Sequence, residues 1–174
     1  MPIQARGEQV GDHSAILNDA PVIVAGSSVR FQDLDYGRKK AVIRNILKEY
    51  HSPMVGSEEA FIRACVKYEL DCYLLPSIAG LESTFGIYTW PGSNNPFGWG
   101  QGFIEFKNWD QSIDTVARGL REDYIDQGYV SVEEIGMKYC ENPAWAGRIR
   151  TLMGRFQAEE DQKQLFFGAD SVQL

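Results

Sequence analysis

A mainly α fold with one small β element is what this 174-residue chain predicts. Three observations carry that prediction. Apolar residues recur at helical spacing over most of the stretch from residue 40 to residue 156. Helix-start signals recur between these stretches, the clearest being Ser131-Val-Glu-Glu134, a capping box. Only one short segment, Phe103-Ile-Glu-Phe106, alternates with period two, so a hairpin is expected over Gly102–Lys107.

The elements follow in order. Residues 1–33 show no sustained period and are rich in Gly, Ser and Asp, so they read as an extended arm or linker, with Val22–Val24 as a strand packed on the domain. Val42, Ile43, Ile46, Leu47 and Tyr50 define a first amphipathic helix, ended at Ser52-Pro53. Ser57 is expected to cap a second, with Glu58 and Glu59 favoured by the dipole in its first turn. A third helix is expected from Tyr73 to about Phe85, with Pro76 tolerated in its first turn. Residues 88–100 are too dense in Gly, Pro and Asn for regular helix. Asn108 or Asp110 then caps a helix carrying Trp109, Ile113, Val116, Leu120 and Tyr124, stopped by Gly128. The last helix starts after Pro143 and carries Trp145, Ile149, Leu152, Met153 and Phe156. A domain over 34–158 is expected, with 159–174 as a polar helical continuation and loose tail.

Composition narrows the partners. With 44% hydrophobic and 24% charged residues the chain is that of an ordinary soluble domain. A net charge of −7 argues against nucleic acid, which requires a basic surface. The longest apolar run, Pro21–Gly26, is far short of the ~20 residues of a membrane span, and residues 1–33 show no export signal. Cys65, Cys72 and Cys140 form no metal-ligand cluster, so no metal is expected. If one helix ran through Cys65 and Cys72 they would stand roughly 10 Å apart, too far to bridge. Buried thiols are the expectation, with a bridge from Cys140 to either of the others left open.

One residue stands out chemically. Residues 72–104 carry a single charged side chain, Glu82. On a helical wheel it falls within the apolar stripe of Leu75, Ile78, Ala79 and Phe85. A carboxylate buried there would be costly to keep charged and would hold its proton, as a general acid must. The alternative is a structural Glu bonded to backbone or to a Lys. In the loop that follows, Asn94 and Asn95 offer amides, and Gly98 and Gly100 permit close backbone approach. Trp90, Phe97 and Trp99 offer flat apolar faces for sugar rings, or else complete the core.

These residues carry a family resemblance. Leu74-Leu-Pro-Ser-Ile-Ala-Gly-Leu-Glu-Ser-Thr-Phe-Gly86, followed by Ser93-Asn-Asn-Pro-Phe-Gly-Trp-Gly100, resembles the active-site core of the lysozyme-like superfamily. The closest likeness is to bacterial endo-β-N-acetylglucosaminidases of glycoside hydrolase family 73, with lytic transglycosylases more distant. The segments 106–120 and Lys138-Tyr139 resemble later parts of those enzymes. The resemblance implies a lysozyme-like domain with a hairpin beside the cleft and Glu82 as catalytic acid. It implies Tyr139 near the reacting sugar, and Ser83, Asn94, Asn95, Phe97, Gly98 and Gln101 with Trp90 and Trp99 along the cleft. Peptidoglycan or a chitin-like glycan is the implied partner. No cofactor is implied, and a monomer in the cell envelope or secreted is expected. Gly98-Trp-Gly-Gln101 stands where transglycosylases usually carry Gly-Leu-Met-Gln, which favours the glucosaminidase side. Glu105, Asp110 and Asp114 are candidates for a second carboxylate that activates water, Asp110 being also a candidate cap. A silent sugar-binding module or an assembly protein are the readings from other classes.

Overall fold

Where apolar residues recur at helical spacing the chain is helical, and the helices close around the side chains that define the period. A computed structural model describes residues 25–140 and 142–169. It contains six α-helices: α1 (Ala25–Glu49), α2 (Glu58–Lys67), α3 (Leu74–Ser83), α4 (Trp109–Gly119), α5 (Val132–Tyr139) and α6 (Trp145–Ala169). None is long and apolar enough to cross a membrane. α1 packs on α2 and α6, α2 on α4, α3 on α6, and α5 on α6. The expected stripes are the core: Val42, Ile43 and Leu47 of α1 meet Phe61, Ile78, Ile113, Ile149 and Phe156, all fully buried. Phe85 lies between Tyr50 and Phe156, at centroid distances of 4.7 and 6.3 Å. Glu160 is buried and accepts from Lys39 and from the Tyr73 hydroxyl, joining α6 to α1 and to the start of α3.

Four expectations need correction. The helical region opens at Ala25, within the stretch read as an arm. Extending an existing helix avoids the cost of nucleation, so a segment without a period of its own continues one that packs. The strand expected at Val22–Val24 lies outside the described residues, as do 1–24 generally and the tail from 170. Ser57 stands at the head of α2 without a capping bond from its hydroxyl; the Glu58 carboxylate instead accepts from the Gly56 amide at 2.9 Å.

The expected hairpin is absent, and no strand occurs among the described residues. Residues 104–106 have no regular secondary structure; the Asn94 and Asn95 side-chain amides bond the carbonyls of Phe106 and Ile104, and the Phe106 amide bonds the Ser93 carbonyl. Finally, Cys65 and Cys72 are bridged, and Cys140 is free. The one-helix premise fails because α2 ends at Lys67. Glu69 then adopts a left-handed φ of 52° and the Leu70 amide bonds the Cys65 carbonyl, which brings the two Cα atoms to 4.9 Å.

Candidate active site

Glu82 occupies the final turn of α3 and is exposed, not buried in the stripe. The wheel fails here because α3 stops one residue later. Thr84 and Phe85 both take left-handed conformations (φ 51° and 56°), and Phe85 turns into the core independently of the helix face. The desolvation expected from the sequence is therefore not present around Glu82. The carboxylate is instead oriented from α6: Trp145 Nε1 donates to Glu82 Oε1 at 2.8 Å. Trp145 is itself buried, so its indole is a fixed donor.

Behind that bond stands a wall of aromatic rings. Trp145 stacks on Tyr139 (centroids 5.0 Å apart, planes 27°), and Tyr139 meets Trp99 and Tyr124 at 6.0 and 6.2 Å. Two glycines make room for the tryptophans. A Cβ at Gly119 would come within 2.5 Å of the Trp99 ring, and one at Gly136 within 2.9 Å of Trp145. Tyr124 is brought to the wall by a single π turn, Leu120–Tyr124, which follows α4; such turns are frequent at functional sites. Burial, reinforced by the negative charge of Glu82, pushes the Tyr139 phenol well above its ordinary range, so it is a neutral donor. That proton is engaged, because the Tyr139 hydroxyl donates to the Phe97 carbonyl at 2.8 Å.

A cavity of about 380 Å³ opens on this wall, lined by Gly98, Trp99, Gly100, Gln101, Tyr124 and Tyr139. Its rim is a left-handed turn. Gly98, Gly100 and Gly102 have φ of 63°, 61° and 81°, and Gln101 is held at 58° between them. A non-glycine residue in that region costs roughly 1–2 kcal/mol.

The remaining sequence-derived candidates divide into scaffold, a neighbouring pocket, and a remote face. Ser83 is buried: its hydroxyl lies 2.8 Å from the Pro96 carbonyl and accepts from the Gly86 amide, tying α3 to the loop. Asn95 is buried too. Its amide donates to the Trp99 and Ile104 carbonyls and accepts from the Trp99 amide, which leaves it a staple of the loop. Asn94 is half-buried and donates to the Phe106 carbonyl, while Phe97 is fully buried. Trp90 and Glu105 are exposed and line a second pocket with Phe103. Asp110 and Asp114 face α2, where they pair with Arg63 and Lys67 at 3.1 and 2.8 Å. Asn108, not Asp110, caps α4, accepting from the Gln111 amide. Burial opposes ionisation of Asp114, but hydrogen bonds from Lys67 and Tyr68 outweigh it and hold the carboxyl below its ordinary value.

Of the sequence-derived candidates, the structure brings Tyr139, Trp99 and Gln101 to one cavity and links Glu82 to it through Trp145. Sequence reasoning missed Trp145 as the partner of Glu82, Tyr124 as part of the wall, and both glycine seats. None of these carries a local signal for that role, since Trp145 stands 63 residues from Glu82. No protein-family model matches this chain, and no curated protein is found to match it.

Proposed function

We propose that the protein cleaves β-1,4-linked, N-acetylglucosamine-containing glycan strands, peptidoglycan being the substrate, with Glu82 as general acid. The observation that carries the reading is the exposed Glu82 carboxylate held by the Trp145 indole at the end of a four-ring aromatic wall. Sugar rings present apolar C–H faces to aromatic side chains and hydroxyls to polar rims, and the Trp99–Tyr124–Tyr139 cavity with Gln101 offers both. Glu82 joins this surface through Trp145, which stacks on Tyr139 of the cavity lining. In this reading Glu82 gives its proton to the leaving oxygen as the glycosidic bond breaks. Asp110 and Asp114 are committed to Arg63 and Lys67. Glu105 lines a separate pocket with Trp90 and Phe103, and the nucleophile in this reading is the substrate's own acetamido group or 6-hydroxyl, the second of which would leave an anhydro product.

The resemblance in residues 74–100 supports the same reading, and the Cys65–Cys72 bridge suits an oxidising site such as the envelope or the exterior. A second reading, a glycan-binding module without turnover, draws on the engagement of the Tyr139 hydroxyl with backbone. Incubation with purified cell-wall sacculi separates them. Muropeptides with reducing ends mean hydrolysis, anhydro ends mean transglycosylation, and either must vanish in Glu82→Gln. Binding to sacculi without release, equal in Glu82→Gln, would establish the module. Neither binding nor release would end both.

A further inference from the structure

Two phenols line the cavity beside Trp99, and they differ in what their hydroxyls already do. The Tyr139 hydroxyl donates to the Phe97 carbonyl, so its proton is taken. Tyr124 is half-buried, and its hydroxyl has no hydrogen-bond partner among the described residues. The only buried side-chain N or O atom without a partner among those residues is the Ser77 hydroxyl, so the unpartnered Tyr124 hydroxyl reaches solvent. Burial, with the negative charge of Asp123 second, raises the Tyr124 phenol, which therefore stays protonated near neutral pH. Of the two phenols it is the one with a proton to give a ligand.

Tyr124 reaches the cavity because a helix is interrupted. In a continued α-helix it would share a face with Leu120, four residues back, which is fully buried. The π turn Leu120–Tyr124 intervenes, and Tyr124 meets Trp99 and Tyr139 at 6.3 and 6.2 Å. α5 holds it there through two successive residues. Tyr139 supplies one ring contact, and Lys138 Nζ stands 4.7 Å from the centre of the Tyr124 ring and 5.1 Å from that of Tyr129. Lys138 also donates to the Asp123 carbonyl, so one cation fixes both the Tyr124 ring and the backbone before it. The Tyr129 amide bonds the Tyr124 carbonyl at 3.0 Å, which closes the turn behind it.

We propose that Tyr124, not Tyr139, gives the phenolic hydrogen bond to a ligand in this cavity, with Lys138 as the positioning residue that holds the ring in place. The bond runs from the Tyr124 hydroxyl to an oxygen of the glycan, the acetamido carbonyl being an acceptor that every N-acetylglucosamine carries. Tyr139, which the resemblance sets near the sugar, is then a wall ring whose hydroxyl stays on the Phe97 carbonyl and whose face stays on Trp145. The inference rests on the glycan reading of the Glu82 site.

The test is titration of the full chain with chitohexaose, in a Glu82→Gln background that prevents turnover. Tyr124→Phe keeps the ring and removes the hydroxyl, so affinity should fall about three- to tenfold with the thermal midpoint unchanged. Tyr139→Phe should lose less affinity and lower the midpoint, because the Phe97 carbonyl loses its donor. Lys138→Met should weaken binding, Lys138→Arg should retain it, and Lys138→Met combined with Tyr124→Phe should bind no more weakly than Tyr124→Phe alone. Affinity unchanged in Tyr124→Phe, or a larger loss in Tyr139→Phe, would overturn the proposal and leave the glycan reading standing. A Lys138→Met loss that adds in full to that of Tyr124→Phe would overturn the positioning role. No binding by the Glu82→Gln parent would overturn the proposal and the glycan reading together.

Discussion

At the scale of single residues, the site depends on groups whose chemistry is ordinary and whose placement is not. Trp145 is a positioning residue: its indole N–H holds one oxygen of Glu82 and leaves the other available. Trp145→Phe removes the donor and leaves a small void against Gly136, where the larger indole packed. A hydrogen bond to a charged group contributes about 1.5–3 kcal/mol, so muropeptide release, measured well below the lowered thermal midpoint, should fall roughly 10- to 100-fold. Gly119 makes the opposite kind of demand. Helix propensity alone would favour Ala there by about 1 kcal/mol. A Cβ would nevertheless stand 2.5 Å from the Trp99 ring, so Gly119→Ala should destabilise by about 1–3 kcal/mol and displace Trp99, read as a shift in tryptophan emission. Glu82 was legible in the sequence because a lone charge in an apolar segment is a local pattern. Trp145 lies 63 residues away and the fit of Trp99 on Gly119 is tertiary, so neither leaves a local pattern.

At the scale of elements, helices were legible and their interruptions were not. The stripes of α1, α2 and α4 are read from periodicity because burial acts on every turn in the same way. The capping box of α5 is present as its residues require. What failed were the stretches where side chains replace backbone partners. Alternation at Phe103–Phe106 promises a strand only if another backbone pairs along it, and here one backbone bond, from the Phe106 amide to the Ser93 carbonyl, is joined by side-chain bonds from Asn94 and Asn95. The same two residues were read as ligands for sugar, since an amide that recognises a hydroxyl and one that staples a loop look alike in sequence. Their structural role has a measurable size. Asn95→Ala would leave the buried Trp99 amide and two carbonyls without partners, a loss of about 2–4 kcal/mol in denaturant unfolding. Asn94→Ala, at a half-buried position with one carbonyl at stake, should cost about 1 kcal/mol.

At the scale of the whole molecule, stability rests on contacts far from Glu82, so it can be altered separately from the chemistry. Glu58 is buried, and although that burial opposes ionisation, hydrogen bonds from the Gly56 amide and Arg44 hold its carboxyl below the ordinary 4.5. A depressed carboxyl adds stability that is complete above its unfolded value and is lost as pH falls through the lower folded value. Unfolding free energy should therefore decline below about pH 4.5, and Glu58→Gln should flatten that decline. The Cys65–Cys72 bridge closes a short loop between α2 and α3, with a sequence separation of 7. Chain-entropy arguments put such a closure at about 2–3 kcal/mol. In a domain of this size reduction should then lower the thermal midpoint by roughly 5–10 °C. Neither cysteine of the bridge lines the cavity beside Tyr139, so the reduced protein should keep its muropeptide release at temperatures where it stays folded. Thiol counting checks the premise directly. Denatured but unreduced protein should take up one alkyl group, at Cys140, and reduced protein three. Three groups without reductant would mean that the bridge does not form under the conditions of expression, and would remove the support it lends to an oxidising compartment.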